Sequence, residues 1–311
     1  ASFLYLPQLK YSIMKLYIRK YLLRLFLLCL LFPALSGCIK EDLSDCPAGM
    51  KLYFTYEPAT YARTGINESE VEKIDLFVFD AGGILRAVYT DESPSVSSDY
   101  FMTINDLPSG DYTFVAWCGV PTYYKFGPSE MVPGRTKLSE ALLYLDYETE
   151  VLNGVLPIFH SHLPAHVSSQ RGQTLFLPLE QAYNTVNLTT EGLSQSGDTY
   201  RMRIYDNNGT YNFDYTFADC GDLIYTAPCV RDATGQLSAS LNILKLADGR
   251  SPIFEITNVT QGTTLYRADL VALINEIGTA TYDTVHVYDI HLKFGLDVSV
   301  SINGWWVVKD G

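Results

Sequence analysis

The chain has 311 residues, 47% of them hydrophobic and 13% aromatic, with 22 Lys plus Arg against 35 Asp plus Glu and a formal charge of −13. An excess of carboxylates repels phosphate backbones, which sets nucleic acid aside as a partner. The length exceeds what one hydrophobic core fills, so two domains are expected.

Four basic residues, Lys15, Arg19, Lys20 and Arg24, precede the uncharged run Leu25–Leu35. This is the charge order of an export signal, and the run falls short of the roughly 20 residues that a membrane-spanning helix needs. Residues 1–13 lie upstream of Met14 and add nothing such a signal requires, so Met14 is a candidate start. Leu35-Ser36-Gly37-Cys38 stands where a secreted protein carries a small-x-small cleavage site, and it looks like a lipobox. Cys38 is therefore expected to be acylated. Each buried methylene contributes about 0.8 kcal/mol, so two or more chains hold a protein at a membrane durably. The adjoining Lys40-Glu41-Asp42 resembles the acidic export tag of Bacteroidetes lipoproteins, which implies the outer face of the outer membrane. Removing residues 1–37 leaves 17 Lys plus Arg against 35 Asp plus Glu, a formal charge of −18.

Beyond the tether, β-branched and aromatic residues alternate with polar ones in short runs, which predicts strands. In the first half they are expected at 51–57, 71–80, 84–90, 99–105, 110–118 and 155–162, with a short helix at Ser139–Tyr147. Asp80-Ala81-Gly82-Gly83 turns the second run into the third. In the second half strands are expected at 174–192, 199–206, 210–217, 236–246, 252–258, 282–295 and 296–303. Ala268–Glu276 reads as a short helix. Asp206-Asn207-Asn208-Gly209 is a hairpin turn by composition, and Asn303-Gly304 is a stronger one. Few helices and many short strands predict an all-β fold of two antiparallel β-sandwiches. The division is a signal over 1–37, an acylated tether over 38–47, and sandwiches over 48–168 and 169–311, with the polar stretch His166–Thr174 at the boundary.

Four cysteines remain once Cys29 leaves and Cys38 is acylated, and an oxidising exterior favours disulfides over metal ligation. Of the three pairings, Cys46 with Cys118 and Cys220 with Cys229 are preferred. His160, His162 and His166 are spaced so that two could ligate zinc from one strand face, but no acidic or Cys ligand lies near in sequence. They are expected to be ordinary histidines near the junction. Asp206, Asn207 and Asn208 lack the downstream Glu of a calcium loop. No metal or cofactor is expected. No nucleophile elbow, phosphate loop or H-E-x-x-H is found, so no enzyme is expected.

Four segments resemble a known family: Cys38 with Cys46 and Pro47; Val71–Gly83 (VEKIDLFVFDAGG); Leu107–Gly119 (LPSGDYTFVAWCG); and Val298–Val308 (VSVSINGWWVV). The chain is similar to the fimbrillin-associated anchor proteins of Bacteroidetes-type (type V) pili. The resemblance implies two tandem transthyretin-like sandwiches and a structural subunit at the base or tip of a fimbria, with pilin subunits as partners joined by β-strand addition. A surface glycan-binding lipoprotein is the alternative. Within the closing segment, Val298, Val300, Ile302, Trp305 and Trp306 are candidate partner-strand residues. The same alternation also suits a plain closing hairpin.

Overall fold

The computed structural model describes residues 49–56, 71–94, 99–127, 130–147, 149–169, 172–193, 197–278 and 282–307. The signal run, Cys38 and Cys46 lie outside the described residues. Residues 47–311 form one compact unit. Among the described residues no helix is long and apolar enough to cross a membrane.

The strands fall into five sheets. The first places β1 (Met50–Thr55) between β4 (Phe101–Ile104) and β10 (Gln173–Pro178). The second runs β11 (Glu180–Gln181), β9 (Phe159–Val167), β5 (Gly110–Cys118), β2 (Ile74–Asp80) and β3 (Leu85–Asp91). The third is small, with β7 (Leu142–Leu145) between β6 (Tyr124–Gly127) and β14 (Thr210–Asn212). The fourth runs β19 (Thr263–Asp269), β18 (Ile253–Asn258), β13 (Tyr200–Asp206), β15 (Leu223–Pro228) and β8 (Glu150–Leu152). The fifth runs β16 (Val230–Arg231), β17 (Leu237–Leu244), β12 (Tyr183–Glu191), β20 (Val287–Phe294), β21 (Val298–Ile302) and β22 (Trp305–Trp306). The helix α1 (Leu270–Glu276) begins at Asp269, whose carboxylate accepts the backbone N–H of Ala272. That bond satisfies one of the helix's unpaired N–H groups.

The fold is all-β, with one departure from purely antiparallel sandwiches. The pairs β1/β10, β12/β20 and β15/β8 are parallel. Parallel neighbours need long crossovers, and these supply them because β8 pairs forward with β15 while β10 and β11 pair back into the first two sheets. The stretch 174–192, expected as one strand, is three. β11 ends at Gln181 in the second sheet and β12 starts at Tyr183 in the fifth.

β2 explains why the second sheet carries so much apolar sequence. Ile74, Leu76 and Val78 are buried on one face, and Phe77 and Phe79 on the other. A strand with both faces covered reads as a continuous apolar run. Ile74, Leu76 and Val78 share their face with Phe114 and Cys118 of β5 and Phe159 of β9, and Tyr56 meets Phe159 edge-on from the β1 side. Phe77 instead meets Phe126 of β6 at 4.8 Å and Phe213 at 4.9 Å. The small third sheet thus caps the outer face of the second.

Two local expectations are corrected here. Ser139–Tyr147 is not a helix: only Leu138–Glu140 makes a 3₁₀ turn, and Leu142–Leu145 is a strand. Leu143 and Leu145 alternate inward, and the strand is paired on both sides, by β6 and β14. Asp206–Gly209 is not a hairpin turn either, because β13 pairs with β15 and β18 while β14 leaves for β7. Asn208 is fully buried there, donating to the Leu244 carbonyl at 3.0 Å and accepting from Tyr225 Oη at 2.6 Å.

Candidate functional site

The closing segment is the candidate partner-strand region, and its geometry follows from its turn. Asn303 (φ 50°) and Gly304 (φ 82°) both lie in the left-handed region, as a two-residue type I′ turn requires. Ile302 therefore faces Trp305, and Val307 N–H donates to the Val300 carbonyl at 2.9 Å. The Asn303 side chain reaches past β21 to β20, accepting from Asp289 N–H at 2.7 Å and donating to the Val287 carbonyl at 3.2 Å. β21 itself pairs with β20 through five residues. Val300 and Ile302 are in the core and Val298 is half-buried. The five candidate residues thus divide, with β21 a core strand and β22 the element at the sheet edge.

At that edge Trp305 is 63% exposed and Trp306 54%. The pairs 302/305 and 300/307 carry the hairpin's hydrogen bonds, so the N–H and C=O of Trp306 point away from β21. No further strand pairs there among the described residues. The Trp306 ring stands edge-on to His291 at 6.4 Å. Beside it the solvent face of the fifth sheet is a polar ladder, in which Thr185 bonds Asn242, Asn187 bonds Asp289, and Thr189 bonds His291. A row of mutually bonded short side chains fixes the sheet's register and leaves the apolar contribution on this face to Trp306, while Trp305, opposite Ile302, lies on the other face.

The histidine trio is not brought together. His160 is buried, with Nε2 3.1 Å from the Phe213 carbonyl, its ring stacked on Tyr215 at 4.6 Å and lying 4.5 Å from Trp117. Burial holds its pKa down to about 3. His162 is exposed two residues on, and His166 pairs with Asp111 at 2.7 Å on the surface. His160 belongs to an aromatic junction that sequence reasoning passed over. After β14 the chain doubles back, with Asn212 N–H donating to the Thr216 carbonyl and Tyr211 bridging Phe217. This hairpin packs Tyr211, Phe213 and Tyr215 against Trp117 at 5.7, 6.3 and 6.5 Å. The alternation of Tyr211, Phe213, Tyr215 and Phe217 was the available signal.

The expected Cys220–Cys229 bond is not formed. Both thiols are free and stand beyond opposite ends of β15, a strand about 16 Å long, whereas a disulfide needs Cα atoms roughly 4.4–6.8 Å apart. Cys220 lies against the Gly209 N–H and the Asn207 carbonyl, and burial pushes the Cys229 thiol up to about 12. Cys118 is a buried free thiol, its pKa raised by desolvation and by nearby Asp75. Asp206 is also a structural group, paired with Arg250 at 3.0 Å in a buried site.

Comparison with known proteins adds a lineage to this geometry. The family described as "Fimbrillin-A associated anchor proteins Mfa1 and Mfa2" matches residues 43–311. The minor fimbrium anchoring subunit Mfa2 of Porphyromonas gingivalis is 24% identical over 270 residues, covering 83% of this chain and 82% of that protein. The solved structure of the fimbrial anchor protein Mfa2 from Porphyromonas gingivalis superposes with a TM-score of 0.71 at 22% identity, covering 84% of this chain and 99% of that one. A candidate adhesin from Bacteroides ovatus shares the fold with a TM-score of 0.68 at 17% identity, covering 85% of this chain and 96% of that one.

Proposed function

Since the chain belongs to the family of fimbrillin-A associated anchor proteins, we propose that it is a structural fimbrial subunit, held in the outer membrane by acyl chains on Cys38 as the base or an accessory subunit. In this reading it meets pilin subunits of the same fimbria by backbone pairing. The observation that carries the reading is the edge at β22, which no strand besides β21 pairs among the described residues, and where the N–H and C=O of Trp306 point outward beside two exposed indoles. An added strand gains affinity from backbone bonds and specificity from side chains in alternate pockets. Anchoring is supported by the position of the lipobox, just upstream of the family match that starts at residue 43.

The test is purification of the acylated protein from native membranes with its partners identified. Pilin should co-purify with the parent. Trp306→Pro removes the outward N–H of Trp306 without touching the bonds to β21, so it should lose pilin while its unfolding midpoint holds. Retention of pilin by that variant would exclude the edge. Separately, Cys38→Ala should leave the membrane fraction after high-salt and carbonate washes, and a variant that stays would refute acyl anchoring.

A further inference from the structure

β1 is the first strand among the described residues, with eleven residues between Cys38 and Met50. At no more than ~3.6 Å per residue, the linking backbone spans at most about 40 Å. The inward face of β1 is Met50, Leu52 and Phe54, all buried. Its outward face is set by register: Lys51 lies beside Thr103 and Thr174, and Tyr53 beside Phe101 and Phe176. Thr55 and Pro178 complete that face. Every one of these residues is exposed except the half-buried Tyr53. In a mature chain of formal charge −18 this face holds no carboxylate and one ammonium group.

We infer that this outer face of the first sheet rests on the headgroup zone of the bilayer beside the acyl anchor, so that the protein docks flat at its tethered end. The inference rests on acylation at Cys38. Three aromatic rings with a lysine among them suit a zone that is apolar on one side and anionic on the other. A sugar-stacking platform fits less well, because the rings spend their faces on one another and on the ammonium group. Tyr53 stacks on Phe176 at 5.5 Å and 27°, and Lys51 Nζ sits 4.2 Å over the Phe101 ring. The carboxylate-free surface removes the repulsion that an acidic chain otherwise meets at anionic headgroups.

The experiment uses the acylated mature protein reconstituted into vesicles whose lipids carry bromine on the acyl chains close to the headgroup. Phe176→Trp places a reporter on the face, and the parent's own tryptophans are the baseline. Most of the added emission should be lost to quenching, while the parent's emission is unchanged. Unquenched emission from a Phe176→Trp protein with a normal unfolding midpoint would overturn the inference, as would a reporter that pilin or a second copy of the chain covers and shields from the brominated lipid. Phe101→Trp is the second reporter should the first misfold. Cys38→Ala combined with Phe176→Trp separates the two readings: if the double variant still binds vesicles through high-salt and carbonate washes and is quenched, the anchor is wrong and the face stands. If the acylated parent binds without quenching at position 176, the anchor stands and the face is wrong.

Discussion

The hairpins 210–218 and 298–307 are both short two-stranded excursions, yet one is sunk into the molecule and the other hangs at its rim. Tyr211 and Phe213 are 1% and 0% exposed, whereas Trp305 and Trp306 are 63% and 54%. Their turns differ in kind. Asn303-Gly304 favours positive φ by its own chemistry, so the closing hairpin is written locally. Tyr215 adopts φ 71°, a conformation that a bulky residue occupies only at a cost of ~1–3 kcal/mol. It is held there by stacking on His160 and by its hydroxyl donating to the Gln181 carbonyl at 2.8 Å. One hairpin is made by its turn, and the other by what it packs against.

The comparison breaks first at Phe213. Truncation to Ala removes a ring set among Phe77, Phe79 and Phe126, and should cost about 4 kcal/mol, read as a lowered midpoint in urea. Should Phe213→Ala cost under 1 kcal/mol, the hairpin is not a structural weld. Val300→Asp comes next, because it places an unpaired charge in the core beneath the closing hairpin, and thermal unfolding should show a loss of about 3 kcal/mol. A Val300→Asp protein that keeps its midpoint and loses only pilin would mean that β21 leaves its sheet to act as a donor.

The third expectation concerns pH. His160 and His286 are buried and held down to about 3 and about 4, mainly by desolvation. Each takes up its proton near pH 6.5 when unfolded. The unfolded chain therefore binds more protons below pH 6.5. Stability is fully present above that value and is lost as pH falls toward the folded pKa values. His160 alone should cost about 2 kcal/mol between pH 7 and pH 5. Equilibrium unfolding across that range should show a shallower slope for His160→Gln than for the parent; equal slopes would contradict the assignment. The smallest effect on stability belongs to the rim, where Trp305→Ala and Trp306→Ala should change the folding free energy by no more than about 0.5 kcal/mol. Their effect should appear in pilin co-purification instead.

What the sequence disclosed follows the same division. β5, expected at 110–118, spans Gly110–Cys118, because a short apolar, aromatic-rich run bounded by glycines is a local signal. The Asn303-Gly304 turn was equally legible. Leu142, Leu143 and Leu145 were misread as helix because a short apolar run carries little periodicity, and partners distant in sequence decide its state. β15 and β19 escaped notice altogether. Their assignment depends on pairing with β13 and β18, which no local pattern announces. Similarly, the three histidines close in sequence were expected to be ordinary junction histidines, and only the folding back of residues 210–217 reveals His160 as part of an aromatic stack. The outward row Phe176, Tyr53 and Phe101 was illegible for the same reason, since its members come from three strands.

The parallel pairing of β1 with β10 has a mechanical consequence. A tether pulling on the chain ahead of Met50 draws β1 backward along its own axis, while tension toward the second half of the molecule leaves β10 forward past Pro178. The two strands are then loaded in opposite directions along their length. All six residue pairs from Met50/Gln173 to Thr55/Pro178 resist together in shear, and they do not open one after another as a peeled hairpin would. A subunit fixed at its first strand and tugged from its far end would thus meet the pull with its strongest geometry.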